Sequence, residues 1–226
     1  MLQQTQVQRV RERFPLWLRR FPDFDALASA SVTDVLLVWS GMGYNRRALW
    51  LREASRMVTN EFKGRLPRHP MELVRLPGVG PNTAGSIAAF AYDEPTVFIE
   101  TNIRRLFIHE FFPRTREVHD RDILRLVEES LDRERPREWY YALMDAGSEL
   151  VKRVPNPNRR SRHYSVQQRF EGSVRQLRGQ ILRQLGDGDK TMHEMGLDDP
   201  RAIGVLETLV REGFLSKTGE SFGILK

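Results

Sequence analysis

The sequence contains no cysteine. This absence excludes disulfide bonds, thiolate nucleophiles, zinc sites built from thiolates, and iron–sulfur clusters held by cysteine. The sequence also lacks an apolar run near the roughly 18 residues that a membrane helix needs, and its first residues lack the apolar core of a signal peptide. We therefore expect a soluble cytoplasmic protein without a membrane partner.

Lysine is scarce and arginine is abundant. Only five of the 36 basic residues are lysine, and the planar arginine side chain is suited to bidentate contact with phosphate. The net charge of +6 is concentrated in residues 152–172, which carry six basic side chains and one acidic side chain, whereas residues 173–226 carry eight of each. This distribution favours nucleic acid as the partner. The arginine count alone also fits a thermophile or a GC-rich genome.

Strand-like alternation is almost absent until about the last dozen residues, and amphipathic helical spacing dominates. The pattern predicts an all-α fold followed by a small winged-helix-like α+β domain. The predicted helices cover residues 2–20, 31–38, 44–62, 70–75, 82–91, 102–112, 118–132, 137–151, 174–185 and 199–212. We divide the chain into a helical domain (1–151), a basic linker (152–172) and the winged-helix-like domain (173–226). The charge balance of the last domain fits a packing or protein-contact role at least as well as DNA binding.

A glycine-rich hairpin at Leu76–Gly85 reads Leu-Pro-Gly-Val-Gly-Pro-Asn-Thr-Ala-Gly. Gly78 and Gly80 would permit backbone conformations that a side chain disfavours, leaving amide groups bare at the start of the next helix. A helix N-terminus with unpaired donors attracts phosphate, so the hairpin predicts contact with a duplex backbone without base reading. For Gly-x-Gly alone, an ordinary glycine turn is the alternative.

This hairpin resembles the helix-hairpin-helix motif of the endonuclease III superfamily of DNA glycosylases. Met1–Val7, Trp39–Tyr44 and Met144–Gly147 resemble stretches of MutY-type adenine DNA glycosylases in the same order, over residues 1–151. The resemblance implies a monofunctional base-excision enzyme that acts on double-stranded DNA containing a mismatch or lesion. It would flip out adenine paired with 8-oxoguanine or guanine and hydrolyse its N-glycosidic bond. A uracil or thymine mismatch glycosylase and a non-catalytic lesion-binding protein are the alternatives.

The resemblance also implies residue roles in DNA binding. Gln4 would insert near the orphaned base, Thr5 would contact that base, and Tyr44 would intercalate beside it. The complete set of predicted DNA-binding residues is Gln3, Gln4, Thr5, Tyr44, Gly78, Val79, Gly80, Asn82, Thr83, Arg159, Arg160 and Arg162. The alternatives are exposed first-turn residues for Gln4 and Thr5, a core aromatic for Tyr44, and a solvated basic loop for the arginines.

Glu100 and Asn102 are the predicted catalytic residues. MutY-type enzymes place an aspartate ahead of a helix where this chain has Glu100, which is longer by one methylene. Cleavage of the N-glycosidic bond builds positive charge on the sugar, so a fixed carboxylate would stabilise the transition state. Asn102 would help position that carboxylate or the abasic sugar. The alternative for Glu100 is a helix N-terminal charge that serves stability alone.

Two departures from the family affect the expected activity. MutY-type enzymes protonate the leaving adenine with a glutamate two residues before the Met-Leu-Gln-Gln string, and this sequence starts at that Met. Either the true N-terminus lies further upstream or the protein lacks this general acid. Proton transfer contributes about 10²- to 10⁴-fold, so we expect the chain as written to bind DNA but to cleave adenine weakly or not at all. Bifunctional relatives carry lysine where this chain has Asn82, which cannot form a Schiff base.

Relatives hold an iron–sulfur cluster beyond the last helix of the domain, but the first cluster cysteine aligns with Val151 and the segment continues as a basic loop over Pro155–His163. We expect no iron–sulfur cluster and no catalytic metal. A monovalent cation on hairpin carbonyls around Gly78 and Gly80 is implied only by resemblance. We expect a monomer. Asp145 is interpreted as capping or bridging helices, and His109 as an ordinary helix residue.

Overall fold

The structure is a computed structural model that describes residues 1–167 and 169–225. Its helices are α1 (Val7–Arg20), α2 (Phe24–Ser29), α3 (Val32–Trp39), α4 (Arg46–Glu61), α5 (Pro70–Leu73), α6 (Pro81–Tyr92), α7 (Thr101–Phe111), α8 (Asp120–Ser130), α9 (Pro136–Leu150), α10 (Val174–Gln184) and α11 (Ala202–Arg211). Strands β1 (Lys190–Thr191), β2 (Leu215–Thr218) and β3 (Ser221–Ile224) form an antiparallel sheet in the order β1-β3-β2. The predicted helical fold with a small C-terminal sheet is confirmed. None of the described helices is long and apolar enough to cross a lipid bilayer.

The predicted helices agree with the structure to within a few residues at most ends. The first is an exception, because residues 2–6 precede α1 and Gln4 has a left-handed backbone with φ +54°. The sequence analysis also missed α2, a six-residue helix. The Asp23 side chain begins α2 by accepting a hydrogen bond from the Ala26 backbone N–H at 2.8 Å, which satisfies a donor that the helix leaves unpaired.

The first compact unit contains residues 1–65 and 167–226. Its hydrophobic core combines side chains from both ends of the chain, among them Trp17 and Trp39 from the N-terminal helices and Leu206 and Phe214 from the C-terminal segment. The two indole rings meet edge to face with centroids 5.4 Å apart. Because the core is shared, residues 173–226 belong to the same compact unit as the N-terminal helices. The domain boundaries at residues 151 and 172 stay a prediction from the sequence.

The second compact unit contains residues 66–166, and its core is built around α7. Helix α7 packs against α9 at Gly147, where an added Cβ would lie 2.2 Å from the carbonyl oxygen of Asn102. Only a residue without a side chain allows this approach. The contact places the start of α7 directly against α9.

The predicted basic loop over Pro155–His163 contains a short regular segment and packs against α7. Pro157–Arg160 forms a 3₁₀ helix, and Asn158 is buried with its Nδ2 donating to the Thr101 carbonyl at 3.0 Å. Val118 and Ser161 form a parallel β-bridge. Asparagine and proline favour short turns as well as loops, so composition alone did not reveal that this segment packs against α7.

Candidate functional site

Glu100 precedes α7 and caps it. Its Oε1 accepts hydrogen bonds from the backbone N–H groups of Asn102 at 2.5 Å and Ile103 at 2.9 Å. The N-terminal end of a helix favours a nearby negative charge, so this position suits a carboxylate and fixes its orientation. Oε2 is reached by the Asn102 Nδ2 at 3.5 Å. Glu100 therefore caps α7, and its second oxygen is less engaged than the first.

Arg105 fixes the orientation of Asn102, and the sequence analysis missed it. One guanidinium nitrogen donates to the Asn102 Oδ1 at 2.6 Å and to the Gly147 carbonyl at 2.8 Å, while Nε donates to the Asn156 Oδ1 at 3.3 Å. Because Arg105 occupies Oδ1, the Nδ2 of Asn102 turns toward Glu100. Burial lowers the pKa of Arg105, and the charge of Glu100 opposes that shift. The one available sequence signal is its i+3 spacing from Asn102 on the same helix.

The hairpin needs glycine at one of the two predicted positions. Gly78 has φ +76°, a region that side chains rarely adopt, whereas Gly80 has φ −88° and open space where a Cβ would lie. The expectation that Gly80 requires glycine for its conformation is therefore wrong. Gly80 is the N-cap of α6 and provides no side-chain cap. Val79 and Thr83 are half-buried on either side of it.

Asn82 links the hairpin to the segment that carries Glu100. Its Oδ1 accepts a hydrogen bond from the Ile99 backbone N–H at 3.2 Å. Gly85 on the same helix allows a second close approach, because an added Cβ would lie 2.9 Å from the Phe98 Cβ. Within residues 66–166, the hairpin helix and the residues before Glu100 are thus held together by both a hydrogen bond and close packing.

A second group of predicted residues lies in the first compact unit, where Arg47 connects the N-terminal residues to the turn before α4. Its guanidinium donates to the Met1 carbonyl at 3.1 Å, to the Thr5 Oγ1 at 2.7 Å and to the Gly43 carbonyl at 3.2 Å. It also donates to the Gln3 carbonyl. Burial lowers the pKa of Arg47 from its ordinary value. Sequence reasoning missed this residue because its partners are mostly backbone carbonyls far along the chain.

Gln4 and Tyr44 share an unusual backbone conformation. Their φ values are +54° and +48°, and such left-handed non-glycine residues cost of order 1–3 kcal/mol each and persist only where their surroundings determine the conformation. Gln4 is exposed and its side chain has no hydrogen-bond partner within the described residues. Neither Gln4 nor Thr5 lies in a helix, so the first-turn alternative is wrong.

Tyr44 is not a core aromatic, because 38% of its surface is exposed. The Arg47 guanidinium lies 5.5 Å from its ring centroid, within the range of a cation–π interaction. Its hydroxyl accepts hydrogen bonds from Gln167 Nε2 and from Arg175 at 3.2 Å.

The three predicted phosphate-binding arginines have different surroundings. Arg160 donates to the carbonyls of Ile108 at 3.1 Å, Phe112, and Thr115 at 3.2 Å, so its guanidinium holds the C-terminal end of α7. Arg162 forms an exposed ion pair with Glu117 at 3.6 Å. Arg159 is exposed, and its side chain has no partner in the part of the chain that the structure describes. Their DNA contacts stay predictions.

Asp145 does not bridge helices. Its side chain is exposed and makes no hydrogen bond or ion pair to any described residue, so that interpretation is wrong. His109 is half-buried in α7, as expected of an ordinary helix residue.

The residues present do not fit an iron–sulfur cluster, since the sequence has no cysteine and Asn156 and Asn158 hold the segment after α9 by hydrogen bonds to α7. Among residues 1–167 and 169–225, no group of three or more histidine, aspartate or glutamate side chains is placed to hold a metal ion.

Comparisons with solved structures support the fold. A thermostable thymine-DNA glycosylase superposes with a TM-score of 0.59 at 19% identity, over 69% of this chain and 73% of that chain. A trapped covalent intermediate of endonuclease III with DNA gives a TM-score of 0.60 at 16% identity, over 69% and 76%.

Sequence comparisons extend over nearly the whole chain. The adenine DNA glycosylase of Mycolicibacterium smegmatis is 30% identical over 97% of this chain and 83% of that protein. The adenine DNA glycosylase of Mus musculus is 34% identical over 80% of this chain, which spans only 35% of the mouse protein. The model of the HhH-GPD superfamily of base excision DNA repair proteins matches residues 1–132. The chain therefore belongs to the HhH-GPD superfamily of base excision DNA repair proteins, within its adenine DNA glycosylase family.

Proposed function

We propose that this protein is a monofunctional DNA glycosylase that flips adenine out of duplex DNA and hydrolyses its N-glycosidic bond. The observation that carries the proposal is the Glu100 carboxylate, which two backbone N–H groups orient at the start of α7 in a chain of this family. Such a fixed negative charge suits a reaction that builds positive charge on a sugar, because it needs little reorganisation in the transition state.

Glu100 and Asn102 are the residues that would stabilise the positive charge on the sugar. The bond between C1′ and the base nitrogen breaks with its electron pair going to the base, and the oxygen of water forms the new bond to C1′. The proton that the water loses balances the proton that the released base gains. Glu100 Oε2 would face the cationic sugar, because Oε1 is already occupied by the helix N–H groups. The Nδ2 of Asn102 would hold the carboxylate or the abasic sugar in place, since Arg105 fixes the direction of its amide.

The DNA contacts that we propose come from two sets of residues. Val79, Asn82 and Thr83 would present the start of α6 to the phosphate backbone without reading bases. Gln4 and Tyr44 would fill the gap that a flipped base leaves, as their exposure and their left-handed backbones support. Strain of this kind is common where a segment is held ready for a ligand.

The substrate is tested by single-turnover excision from duplexes that differ only in the target pair. In a form that carries a glutamate two residues before Met1, we expect release of adenine opposite 8-oxoguanine or guanine, and no release of uracil or thymine opposite guanine. Glu100→Gln keeps the size of the side chain and removes its charge, so we expect a rate at least about 10²-fold lower with DNA binding retained. Glu138→Gln, an exposed substitution on α9, serves as the control.

Each other outcome identifies a different function. Release of uracil or thymine instead of adenine would indicate a mismatch glycosylase. Tight binding to a stable abasic analogue with no base release, even after a glutamate is restored upstream, would indicate a non-catalytic lesion-binding protein.

We further propose that the enzyme cuts no strand and works without an iron–sulfur cluster or a catalytic metal. Asn82 has no amine to form a Schiff base, and its side chain is engaged with the Ile99 backbone. Borohydride should therefore trap no covalent complex with damaged DNA, and a trapped complex would contradict the proposal. Excision should persist in EDTA. A dependence on K⁺ or Na⁺ would support a cation at the carbonyls of Gly78 and Gly80.

A further inference from the structure

The C-terminal segment 173–226 contributes to the surroundings of Tyr44. Arg175 lies in the first turn of α10, which Ser173 begins by accepting a hydrogen bond from Gln176 N–H at 3.3 Å. The same segment supplies Leu206 and Phe214 to the core that it shares with the N-terminal helices. Helix α10 is therefore anchored to the same compact unit as Tyr44.

Tyr44 is held at both its ring face and its hydroxyl. Arg47 lies 5.5 Å from the ring centroid, while Arg175 donates to the hydroxyl oxygen at 3.2 Å and Gln167 Nε2 donates to it as well. The backbone of Tyr44 is left-handed with φ +48°. A strained residue keeps one conformation only where its neighbours determine it, and here two of those neighbours come from the C-terminal part of the chain.

We propose that Arg175, assisted by Gln167, is a positioning residue that holds Tyr44 ready to enter the DNA stack, so that the C-terminal segment increases selectivity for damaged over intact duplex. The inference rests on the proposed function, because it assigns Tyr44 to the flipped-base gap. It gives the C-terminal segment a role in recognition that its neutral charge does not suggest.

The charges of the segment favour this indirect role over general attraction to DNA. Residues 173–226 carry eight basic and eight acidic side chains. Arg178 pairs with Glu212, and Arg201 pairs with Asp199 at 2.6 Å, so these arginines are neutralised within the segment. Non-specific DNA binding depends on net positive charge, which this segment does not supply.

The first test measures dissociation constants for a duplex with a stable abasic analogue opposite 8-oxoguanine and for the matching intact duplex. Arg175→Met removes the donors at similar length, and we expect the ratio of the two constants to fall about 3- to 10-fold, the loss expected for one hydrogen bond. Arg175→Lys should recover part of the ratio. Arg183→Met on α10 is the control, since that arginine donates to the Gly179 carbonyl of its own helix.

A double-mutant cycle with Tyr44→Phe separates positioning from direct DNA contact. Tyr44→Phe removes the hydroxyl and keeps the ring, so Arg175→Met should have no further effect on the ratio in that background. An undiminished effect of Arg175→Met in the Tyr44→Phe background would overturn the proposal, because Arg175 would then act on DNA itself. Thermal unfolding followed by circular dichroism checks that each variant folds.

A second measurement needs no DNA. In protein with ¹³C-labelled tyrosine Cζ, the Tyr44 signal is identified by its loss in Tyr44→Phe. The chemical shift of this signal should change in Arg175→Met and not in Arg183→Met. An unchanged chemical shift in Arg175→Met would overturn the positioning role of Arg175 and leave the proposed glycosylase function standing. Equal binding of both duplexes by the unmodified protein, together with a responsive Tyr44 signal, would overturn the proposed function and with it the selectivity role.

Discussion

The two clusters of predicted site residues are built in different ways. Glu100 and Asn102 lie at the start of a helix, with Glu100 in an ordinary extended backbone at φ −127° and the helix itself supplying the N–H groups that orient its carboxylate. Gln4 and Tyr44 lie in irregular segments with left-handed backbones. The comparison teaches that regular structure can orient the carboxylate that we propose for catalysis, whereas the residues that we propose to enter DNA have a backbone conformation that neighbouring side chains must enforce.

Each cluster contains an arginine whose hydrogen bonds hold the other residues in place, and replacing that arginine tests the comparison. Arg105 binds the side chains of Asn102 and Asn156 within the second unit, whereas Arg47 binds mainly backbone carbonyls of the N-terminal residues within the first. Loss of Arg105 should therefore disturb the reaction, and loss of Arg47 should disturb recognition.

Gly147→Ala should destabilise the protein most, because its Cβ would lie 2.2 Å from the Asn102 carbonyl oxygen and would force α7 away from α9. Overpacking of this kind costs about 3 kcal/mol or more of unfolding free energy where backbone must move. Urea unfolding measures the change. Gly204→Ala on α11 is the matched control, since an added Cβ meets nothing within 4 Å there and alanine favours a helix by about 0.5–1 kcal/mol.

Arg47→Met should weaken binding to the abasic-analogue duplex by about 10- to 100-fold, because removing a charged donor from its partners costs about 1.5–3 kcal/mol. The carbonyls of Met1 and Gly43 would lose their donor, and the N-terminal residues would detach from the turn that carries Tyr44. Fluorescence anisotropy measures the affinity. A single-turnover rate on saturating DNA that fell as much as the affinity would contradict the separation of recognition from chemistry.

Arg105→Met should lower the single-turnover rate by about 10-fold with affinity for DNA unchanged, because Asn102 would lose the hydrogen bond that directs its amide. Arg104→Met is the control on the neighbouring residue. Arg104 forms a bidentate pair with Asp120 at 2.7 and 2.8 Å, so its loss should affect stability and leave the rate on folded protein intact. Equal rate losses in the two variants would remove the special role of Arg105.

The smallest expected effect concerns Glu212, which pairs with Arg178 and, at 3.1 Å, with Arg46. Partial burial alone would raise the pKa of Glu212, but these two arginines outweigh it and the pKa is lowered. A lowered carboxylate pKa stabilises the fold above the ordinary value of 4.5, and the contribution is lost as the pH falls through the folded-state pKa.

Glu212→Gln should therefore cost about 1 kcal/mol of unfolding free energy at pH 7, a modest amount because the pair is partly exposed. The difference from the unmodified protein should shrink as the pH falls below 4.5. Urea unfolding across this pH range provides the measurement. A difference that stayed constant with pH would show that the cost comes from packing and not from the charge.

Much of the fold was predictable because most helices are long, periodic and bounded by proline or capping residues. Helix α2 was missed because a six-residue helix barely completes a periodic pattern. Glu100 was singled out because the sequence around it resembles the stretch in which MutY-type enzymes place an aspartate ahead of a helix. Arg47 and Arg105 were not found, since their decisive partners lie far away in sequence, such as Met1 for Arg47 and Gly147 for Arg105.

Because the first unit takes its core from both ends of the chain, we expect this unit to finish folding last during synthesis. Residues 66–166 form their compact unit from one continuous stretch, whereas the unit that contains Trp39 also needs Phe214 and Phe222 from near the end of the chain. Domains fold as units while the chain is made. We therefore expect the unit that carries Glu100 to fold before synthesis ends, and the core of the N-terminal helices to be completed only after the C-terminal segment has emerged.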